Sequence, residues 1–396
     1  MGAHKRYETD AYARTLDTVV VRAFEEGGRH FVVLEDSILY PEGGGQPSDH
    51  GQIGSANVLE IVRRRDGDIH VVDRALELGP VTVALDWGRR FDHMQQHTGQ
   101  HLLTAVAHGS FGWTTTAFHL GPELCDIELD APQITPQQRH GLEEAVMDEI
   151  MAARSVTASW ASQEEYKSLN VRSRGLPDGH QGDIRLIEIK GLDVNTCGGT
   201  HLASTSELEC VKLIGAEPAP GGARLFFVFG KRVRGRLEAH EQRNHALRTI
   251  LGRPDDGLVA AVEKHFSLAK NLERSLRSAD EELAELYAKT LAAENVAFLT
   301  HHFENKDAAF LQRVARQLLE AATDRVVFLT AEKYGTAFFS LAAGNTCSAD
   351  VPRLGREVAA TLSGKGGGSG RQFQGKFTDL GRLADARAVL YAAAKG

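Results

Sequence analysis

Residues 91–109 read FDHMQQHTGQHLLTAVAHG, and the spacing of their apolar and imidazole side chains is close to the 3.6-residue period of an α-helix. We therefore predict a helix over Phe91–Gly109, ended by Gly109. His97 and His101 lie four residues apart, on one face of this helix. That spacing lets both imidazoles reach one metal ion.

A second motif, Cys197-Gly-Gly-Thr-His201, follows much further along the chain. It places a thiol and an imidazole on either side of a tight Gly-Gly turn. Histidine and cysteine ligands favour zinc, whereas magnesium and calcium prefer oxygen. A His-x-x-x-His pair by itself is more often two surface histidines, but the two motifs together predict one zinc site.

Other catalytic signatures are missing from the sequence. It contains no His-Glu-x-x-His, Cys-x-x-Cys or Gly-x-Ser-x-Gly motif, and the glycine-rich segment 364–370 lacks the ending of a P-loop. A water activated by the metal is therefore the expected attacking species. His93 lies one turn before His97, and we interpret it as a packed histidine, with a supporting role behind the ligands as the alternative.

The rest of the sequence predicts an α+β protein of several domains, as expected for 396 residues at about 150 residues per domain. Residues 1–88 are predicted to form a small β-barrel or sandwich, because short β-branched runs alternate with Gly, Asp and Pro. The predicted strands are Asp17–Phe24, His30–Glu35, Asn57–Arg63, Ile69–Val72 and Val81–Asp86.

Residues 89–235 are predicted to form an α+β domain that contains both zinc motifs. Thr135 is expected to cap a helix that has Pro136 at its first position and runs to about Arg154. The predicted strands are Cys125–Leu129, Ser155–Trp160, Ile184–Ile189, Leu208–Ile214 and Arg224–Phe229.

Residues 236–294 are predicted as a helical linker, with helices over Arg236–Leu251 and Leu258–Leu291 separated at Pro254. The second helix carries apolar residues at spacings of three and four: Val262, Phe266, Ala269, Leu272, Leu276, Ala279, Leu283 and Leu286. This pattern is typical of a coiled-coil-like seam, in a helical pair or a dimer contact. The alternative is an amphipathic helix packed on its own chain.

Residues 295–396 return to alternating strands and helices. The predicted strands are Val296–Thr300, Val326–Thr330 and Phe338–Ala343, and the predicted helices are Asp307–Ala322 and Val351–Leu362. A glycine-rich turn at 364–370 is expected to precede a last helix that starts at Asp379.

The composition excludes several classes of protein. Apolar residues are 42% and charged residues 25%, which is ordinary for a globular chain and excludes a disordered or fibrous one. Four cysteines are too few for a disulfide scaffold, and Cys125, Cys210 and Cys347 are predicted as buried thiols in or beside strands. The sequence has no apolar leader-like region and no run of 18 apolar residues, so we expect a soluble cytoplasmic protein.

The segment Tyr40-Pro-Glu-Gly-Gly-Gly-Gln-Pro47 is a loop whose glycines, Gly43, Gly44 and Gly45, allow close backbone approach to a ligand. Its alternative is a plain hairpin loop. This segment, His97-x-x-x-His101 and Cys197-Gly-Gly-Thr-His201, in that order, resemble the editing module that alanyl-tRNA synthetases share with free-standing alanyl-tRNA editing proteins. The helical segment and the region ending in 364–370 resemble the DHHA1-type domain that follows this module. The resemblance covers essentially the whole chain and is that of the long free-standing form, without an aminoacylation domain before residue 1.

The resemblance implies a hydrolase that removes amino acids from tRNA, with one zinc ion held by His97, His101, Cys197 and His201. Four protein ligands are typical of structural zinc, so one of them, His201 or a displaced histidine, is expected to yield to water or substrate. The implied substrate is tRNA(Ala) mischarged with serine, with glycine as a second possibility and Ser-tRNA(Thr) as an alternative. Residues expected to contact the substrate are Gly43, Gly44, Gly45, Gln46, Thr98, Gln100, Thr116 and His119.

One position departs from the family pattern, since Gln100 stands where a threonine commonly precedes the second histidine. The alternative for Thr98 and Gln100 is that they are polar residues on a helix surface. Two rival functions stay open at this point, a non-enzymatic RNA-binding protein with structural zinc and a metal-dependent hydrolase of small esters.

Binding tRNA requires cations, although the net charge of the chain is −8. Residues 222–236 contain five basic and no acidic side chains, and residues 361–396 contain four more basic than acidic ones. We predict phosphate contacts from these two segments, although a charged run is more often a solvated face. The residues expected to make the contacts are Arg232, Arg234, Lys365, Arg371 and Lys376, and a homodimer through the helical segment or the C-terminal domain is a further expectation.

Overall fold

The computed structural model describes residues 4–64, 67–169, 171–172, 182–294 and 296–395. The chain divides into two compact units, Met1–Ala246 and Leu247–Gly396. Among the described residues, no helix combines the length and the apolar character needed to cross a membrane.

The first unit begins with a short helix and a closed β-barrel. The strands follow the order β1-β2-β5-β4-β3-β6 around the barrel and enclose Val20, Val32, Ile53 and Val83. The three-residue strand β3 was not predicted, because it is too short for an alternating pattern to show. The elements are α1 Arg6–Thr9, β1 Thr15–Glu26, β2 Arg29–Leu34, β3 Gly51–Ile53, β4 Ala56–Arg64, β5 Gly67–Val72 and β6 Gly79–Leu85.

The helix with the two histidines, α2, is longer than predicted and spans Trp87–Phe111. The Asp86 side chain accepts from the backbone N–H of Arg89 and so caps its first turn. The predicted end at Gly109 is wrong, because Gly112, with φ at 70°, takes the left-handed conformation that terminates the helix.

After α2 the first unit forms two antiparallel sheets, of order β12-β13-β8-β7 and β11-β10-β9. The predicted cap at Thr135 is confirmed, and α3 begins at Pro136. The sequence prediction missed β7 and β11, and it started β12 too early, because Leu208 belongs to a 3₁₀ turn. The elements are β7 Thr115–Leu120, β8 Cys125–Leu129, α3 Pro136–Met151, β9 Val156–Ala161, α4 Gln163–Ser168, β10 Ile184–Ile189, β11 Asp193–Thr196, β12 Val211–Ala219 and β13 Gly222–Phe229.

Two long helices follow, α5 Lys231–Leu251 and α6 Leu258–Ala292. The apolar seam predicted on α6 is mostly uncovered: Phe266 is 74% exposed and Leu272 is 61% exposed. Apart from Leu258 at its first position, the buried residues of this helix lie near its end, where Ala284 and Leu291 join a core cluster with residues of the next helix. The described chain therefore does not bury this seam against itself.

The second unit contains a sheet of order β14-β15-β16-β18-β17, in which β14 and β15 are parallel. Residues Lys365–Ser369 form strand β17, so the predicted glycine-rich turn is wrong. A Cβ atom on Gly368 would lie 2.1 Å from the Gln372 carbonyl oxygen, which explains why glycines occupy a strand this close to its neighbour. The elements are β14 Phe298–Glu304, α7 Ala308–Ala321, β15 Val326–Lys333, β16 Thr336–Ala343, α8 Val351–Thr361, β17 Lys365–Ser369, β18 Gln372–Phe377 and α9 Leu383–Lys395.

Two smaller expectations are corrected. The last helix starts at Leu383 rather than at Asp379, because the Asp379 side chain caps a 3₁₀ turn that comes first. Cys125 is buried in β8 as predicted, whereas Cys210 and Cys347 are only partly buried.

Candidate metal centre and its cavity

Three imidazoles and one thiol meet at the centre of the first unit. The ligand-capable atoms of His97, His101, Cys197 and His201 all lie within 4.8 Å of one another. The Cys197 Sγ is 3.4 Å from His97 Nε2 and 3.3 Å from His201 Nε2. The three histidines are buried. The fold therefore brings both sequence motifs to one point.

Two of the imidazoles are held from behind by buried polar side chains. The His97 Nδ1–H donates to Gln46 Oε1 over 2.8 Å, and the same oxygen accepts from the Thr200 backbone N–H. On the other side, His201 Nδ1 is 3.2 Å from Thr98 Oγ1. Both rings thus turn Nε2 towards Cys197, as metal-binding histidines do when their other nitrogen is hydrogen-bonded.

Burial sets the protonation state of the cluster. It lowers the pKa of His97 to about 3 and the pKa of His201 well below its usual value, with a smaller effect from nearby charge such as Arg185. Both imidazoles are therefore neutral near pH 7, the form that binds metal. Burial also raises the pKa of the Cys197 thiol, which the Gly199 N–H and Arg185 partly oppose.

Two glycines make room for this arrangement. A Cβ atom on Gly99 would lie 2.3 Å from the Phe229 ring, so glycine lets α2 pack directly on β13. A Cβ atom on Gly199 would lie 2.3 Å from His97 Cε1 and 2.9 Å from Gln46 Oε1. A Cβ atom on the adjacent Gly198 would meet no described atom within 4 Å, so the two glycines of the motif differ in role.

The sequence prediction missed a buried ion pair that joins α2 to the barrel. Arg90 and Asp49 are both 0% exposed, and the Arg90 Nε donates to the two carboxylate oxygens over 3.1 and 3.0 Å. The same guanidinium donates to the Ile38 carbonyl, and Asp49 accepts from the Tyr40 N–H. The pair therefore anchors the start of the Gly43–Gly45 loop to the helix that carries His97.

Arg185 braces the cysteine motif from the other side. Its Nη1 donates to the carbonyl oxygens of Cys197 and Gly199 over 2.9 and 2.7 Å, and its Nη2 donates to the Glu8 carbonyl. No local sequence signal marks this residue, because its partners are carbonyls brought close by the fold.

A cavity of about 850 Å³ opens beside the cluster. One part of its wall is polar, since Gln100 Nε2 donates to Thr104 Oγ1 over 3.0 Å and Thr115 Oγ1 donates to the same oxygen over 3.2 Å. Gln100 is only 4% exposed, and its Oε1 has no hydrogen-bond partner in the described chain. The residues lining the cavity include His97, His101, Cys197, Gly198, Gly44, Gly45, Phe118, Gln100, Thr104, His108, Thr114, Thr115, His4, Trp160, Arg172, Arg185 and Asn195.

The residues predicted to contact the substrate fall into two groups, those that line the cavity and those that do not. Gly44, Gly45 and Gln100 line the cavity. Gln46 and Thr98 are fully buried and hold imidazoles instead.

Among the described residues, Gly43, Thr116 and His119 do not belong to the cavity wall. Gly43 closes a tight turn with Gln46, through hydrogen bonds in both directions between their backbones. His119 is exposed and lies 3.1 Å from Asp126, so β7 presents its neighbour Phe118 to the cavity instead.

His93 is buried but does not belong to the donor cluster among the described residues. Its Nδ1 has no hydrogen-bond partner there, and burial lowers its pKa to about 4. These observations agree with a packed histidine.

The predicted cations also differ in their surroundings. The Arg232 side chain is only 11% exposed and donates to Asp92 and to the Gly121 carbonyl, so it is turned inward rather than towards a partner. Arg234 is 63% exposed and pairs with Glu209.

In the second unit, Lys365 and Lys376 are exposed register partners on β17 and β18. Arg371 donates to the carbonyls of Gly344, Asn345 and Cys347, and so fixes the loop after β16.

Comparison with known proteins identifies the family. Residues 184–226, which include Cys197 and His201, match the family described as Threonyl and Alanyl tRNA synthetase second additional domain. The chain is 37% identical to the alanyl-tRNA editing protein Aarsd1 of Danio rerio over 400 residues, which are 97% of this chain and 96% of the relative. The chain belongs to the alanyl-tRNA editing proteins.

Two further relatives are similar to the chain over most of its length. It is 27% identical to the alanyl-tRNA editing protein AlaX-L of Pyrococcus horikoshii, over 93% of each chain. It is also 28% identical to an alanine–tRNA ligase of Ignicoccus hospitalis, over 92% of this chain and 40% of the ligase. The resemblance drawn from the three motifs is thereby confirmed.

Proposed function

We propose that this protein is a zinc-dependent hydrolase that deacylates tRNA(Ala) mischarged with serine, and secondarily with glycine. The observation that carries the proposal is that a buried cluster of three imidazoles and one thiol borders a cavity of about 850 Å³. Family membership supplies the substrate class, an amino acid esterified to tRNA.

The donor set fits zinc. Tetrahedral zinc with ligands at about 2.0–2.3 Å requires neighbouring donors roughly 3.3–3.8 Å apart. Two of the contacts, Cys197 Sγ to His97 Nε2 and to His201 Nε2, are 3.4 and 3.3 Å. The ligands would be His97, His101, Cys197 and His201, and zinc, when bound, supplies Lewis acidity towards the ester or a water molecule.

The residues of the chain supply orientation. Gln46 and Thr98 keep two imidazoles in one orientation, and Arg185 fixes the carbonyls on either side of the Gly198 turn. Gly45, with φ at 79°, packs against the Phe118 ring, and the two residues form one wall of the cavity. A substrate ester held between this wall and the cluster would be positioned for attack by water. Holding the two reactants in the right geometry can lower the barrier of such a step by several kcal/mol.

The polar wall provides a physical reason for amino-acid selectivity. Gln100, Thr104 and Thr115 offer hydrogen bonds to a seryl hydroxyl, and the Gln100 Oε1 is otherwise unsatisfied in the described chain. A methyl group in the same place would leave these groups unpaired, and sites that require a hydroxyl reject such an analogue by roughly 10⁴-fold, whereas a glycyl group leaves room there for a water molecule that bonds to them. We therefore expect Ser-tRNA(Ala) to be hydrolysed and Ala-tRNA(Ala) to be spared.

The second unit is the proposed tRNA-binding region, with Lys365 and Lys376 as its phosphate contacts. Replacing both by alanine should weaken binding of tRNA(Ala) and lower the slope of log affinity against log salt by about 1 per contact. Lys264→Ala, an exposed lysine on α6, is the control. An unchanged salt slope in the double variant would remove these residues from the interface.

A homodimer through α6 stays a proposal, based on the exposed seam that includes Phe266, Leu272 and Leu276. Light scattering decides it, because a dimer has twice the 43.1 kDa mass of the chain. Leu272→Glu should then give a monomer.

The function is tested by measuring deacylation of Ser-, Gly- and Ala-tRNA(Ala), together with Ser-tRNA(Thr). The proposal expects hydrolysis of Ser-tRNA(Ala), slower hydrolysis of Gly-tRNA(Ala) and none of Ala-tRNA(Ala). Faster hydrolysis of Ser-tRNA(Thr) than of Ser-tRNA(Ala) would assign tRNA(Thr) as the substrate instead. Equal activity on a seryl ester without tRNA would favour a hydrolase of small esters, and binding of tRNA without any hydrolysis would favour a structural zinc site.

A further inference from the structure

The cavity is larger than the amino acid that the proposed function places in it. Its volume of about 850 Å³ lies in the upper part of the range of about 300–1,000 Å³ that suits drug-sized ligands. A seryl group has few heavy atoms and would fill only the part beside the metal cluster. The remaining part of the cavity therefore has room for a second group of the substrate.

The wall of that remaining part is built by the β9-β10-β11 sheet. Trp160 of β9, Arg185 of β10 and Asn195 of β11 line the cavity, and Trp160 and Arg185 are direct register partners. His4 lies against Trp160, with ring centroids 4.4 Å apart and an angle of 32° between the planes. The Arg185 guanidinium is 5.9 Å from the centre of the Trp160 ring.

This combination is suited to a nucleobase. Aromatic rings next to arginine are the usual platform on which proteins stack single-stranded bases, because every base has a π-face. The Arg185 Nε is buried and has no hydrogen-bond partner in the described chain, so the residue retains an unused donor. Arg63 and Arg172 also line the cavity, where Arg172 donates to both carboxylate oxygens of Asp193 and Arg63 lies 3.9 Å from Asp68.

The distance from this platform to the metal cluster is set by the chain itself. Trp160 pairs with Arg185, whose backbone carbonyl accepts from the Cys197 N–H, so Trp160 and Cys197 lie two strand spacings apart, about 9.6 Å. This is comparable to the reach from an ester on a ribose to the base of the same nucleoside. Arg185 contacts the Cys197 and Gly199 carbonyls, so platform and cluster are held together rigidly.

We propose that Trp160 is the stacking platform for the terminal adenine of the tRNA, with His4 and Arg185 beside it. The inference rests on the proposed function, since it assumes that an aminoacylated tRNA end enters the cavity. It assigns Trp160 to substrate binding and gives it no part in the hydrolytic step.

The test is a binding cycle with uncharged tRNA(Ala) that ends in CCA or, one nucleotide shorter, in CC. Wild-type protein should bind the CCA form more tightly, by roughly 5- to 100-fold, the effect of one stacked base. Trp160→Leu should remove most of this difference and leave binding of the CC form unchanged, whereas Trp160→Phe should retain part of it. Trp87→Phe, at a tryptophan outside the cavity wall, is the matched control.

Equal binding of the two tRNAs by the wild type, or the same difference in wild type and Trp160→Leu, would overturn the assignment. Circular dichroism of both Trp160 variants checks that they are folded. Because binding is measured without hydrolysis, a wild-type protein that distinguishes CCA from CC but deacylates nothing would refute the proposed function and leave the adenine site standing.

Discussion

Two adjacent glycines in the cysteine motif have different surroundings. Gly199→Ala would force a Cβ atom to 2.3 Å from His97 and 2.9 Å from Gln46, whereas Gly198→Ala meets nothing within 4 Å in the described chain. We expect Gly199→Ala to lose most of its bound zinc and to be destabilised by about 1–3 kcal/mol, as overpacked sites are. Metal content per chain measures the effect, with Gly198→Ala as the matched control. Equal zinc content in the two variants would contradict the packing described for His97.

Thr98 supports His201 although it was predicted as a substrate residue. Thr98→Val keeps the shape of the side chain but loses the contact to His201 Nδ1 and the hydrogen bond from the Leu202 N–H. Removing such an outer partner typically lowers metal affinity by about 10- to 100-fold. Competition with a chromogenic chelator measures the zinc affinity, and Thr116→Val is the control. An unchanged affinity would show that Thr98 does not orient the imidazole.

For single residues, the sequence allowed the candidate metal donors to be predicted, but not the side chains that hydrogen-bond to them from behind. The spacing of His97 and His101 and the Cys197–His201 motif could be read locally, because each pair lies within one turn of backbone. Gln46 and Thr98 meet partners 51 and 103 residues away, so no local pattern distinguishes a buried support from a substrate contact. Whether such a residue supports an imidazole or faces the cavity depends on how α2 packs between the barrel and the sheet.

Among the elements, α2 depends on its buried ion pair with the loop. Arg90→Met leaves the Asp49 carboxylate buried without its partner, and Asp49→Leu leaves the Arg90 guanidinium buried without its partner. Each substitution should therefore lower the free energy of unfolding by about 3–5 kcal/mol. The double variant should lose less than the sum of the two. Tryptophan fluorescence in urea measures the first unit, because Trp87, Trp113 and Trp160 all belong to it. Additive losses would mean that the two side chains do not interact.

Element prediction succeeded where residues signal their own conformation and failed mainly where the pattern is short, although the six-residue strand β7 was also missed. The capped helix at Pro136 and the strand Ile184–Ile189 follow from residues that signal their own conformation. β3 has three residues and β11 has four, too few for an alternating pattern to appear. Lys365–Ser369 was interpreted as a turn because its glycines hide the strand, whose identity depends on contact with β18.

For the whole molecule, buried histidines couple stability to pH. Burial lowers the pKa of His70, inside the barrel, from 6.5 to about 4. Below pH 6.5, His70 binds a proton in the unfolded chain but stays neutral in the folded one. The free energy of unfolding therefore falls as the pH drops from about 6.5 to about 4, by about 1.4 kcal/mol per pH unit for this group.

His70→Gln should reduce that slope relative to the wild type. Urea unfolding of the first unit, followed by tryptophan fluorescence at several pH values, measures it. If wild type and His70→Gln lost stability in parallel, the barrel histidine would not be the cause.

The net charge of the whole chain does not show where its basic residues lie or which of them are exposed. The net value of −8 gives no indication of an anionic partner, and each of the two basic segments contains both engaged and exposed cations. In the first, Arg232 is bound to Asp92 while Arg234 is exposed; in the second, Arg371 donates to backbone carbonyls while Lys365 and Lys376 are exposed register partners. Sequence can count charges, but only the fold shows which of them remain accessible.

The most direct test of the central claim is the rate of Ser-tRNA(Ala) deacylation measured together with the zinc content. The account predicts hydrolysis by protein with one zinc per chain, loss of activity after chelation, recovery on adding zinc, and neither zinc nor activity in Cys197→Ala. Full hydrolysis by metal-free wild type, or by Cys197→Ala, would contradict it.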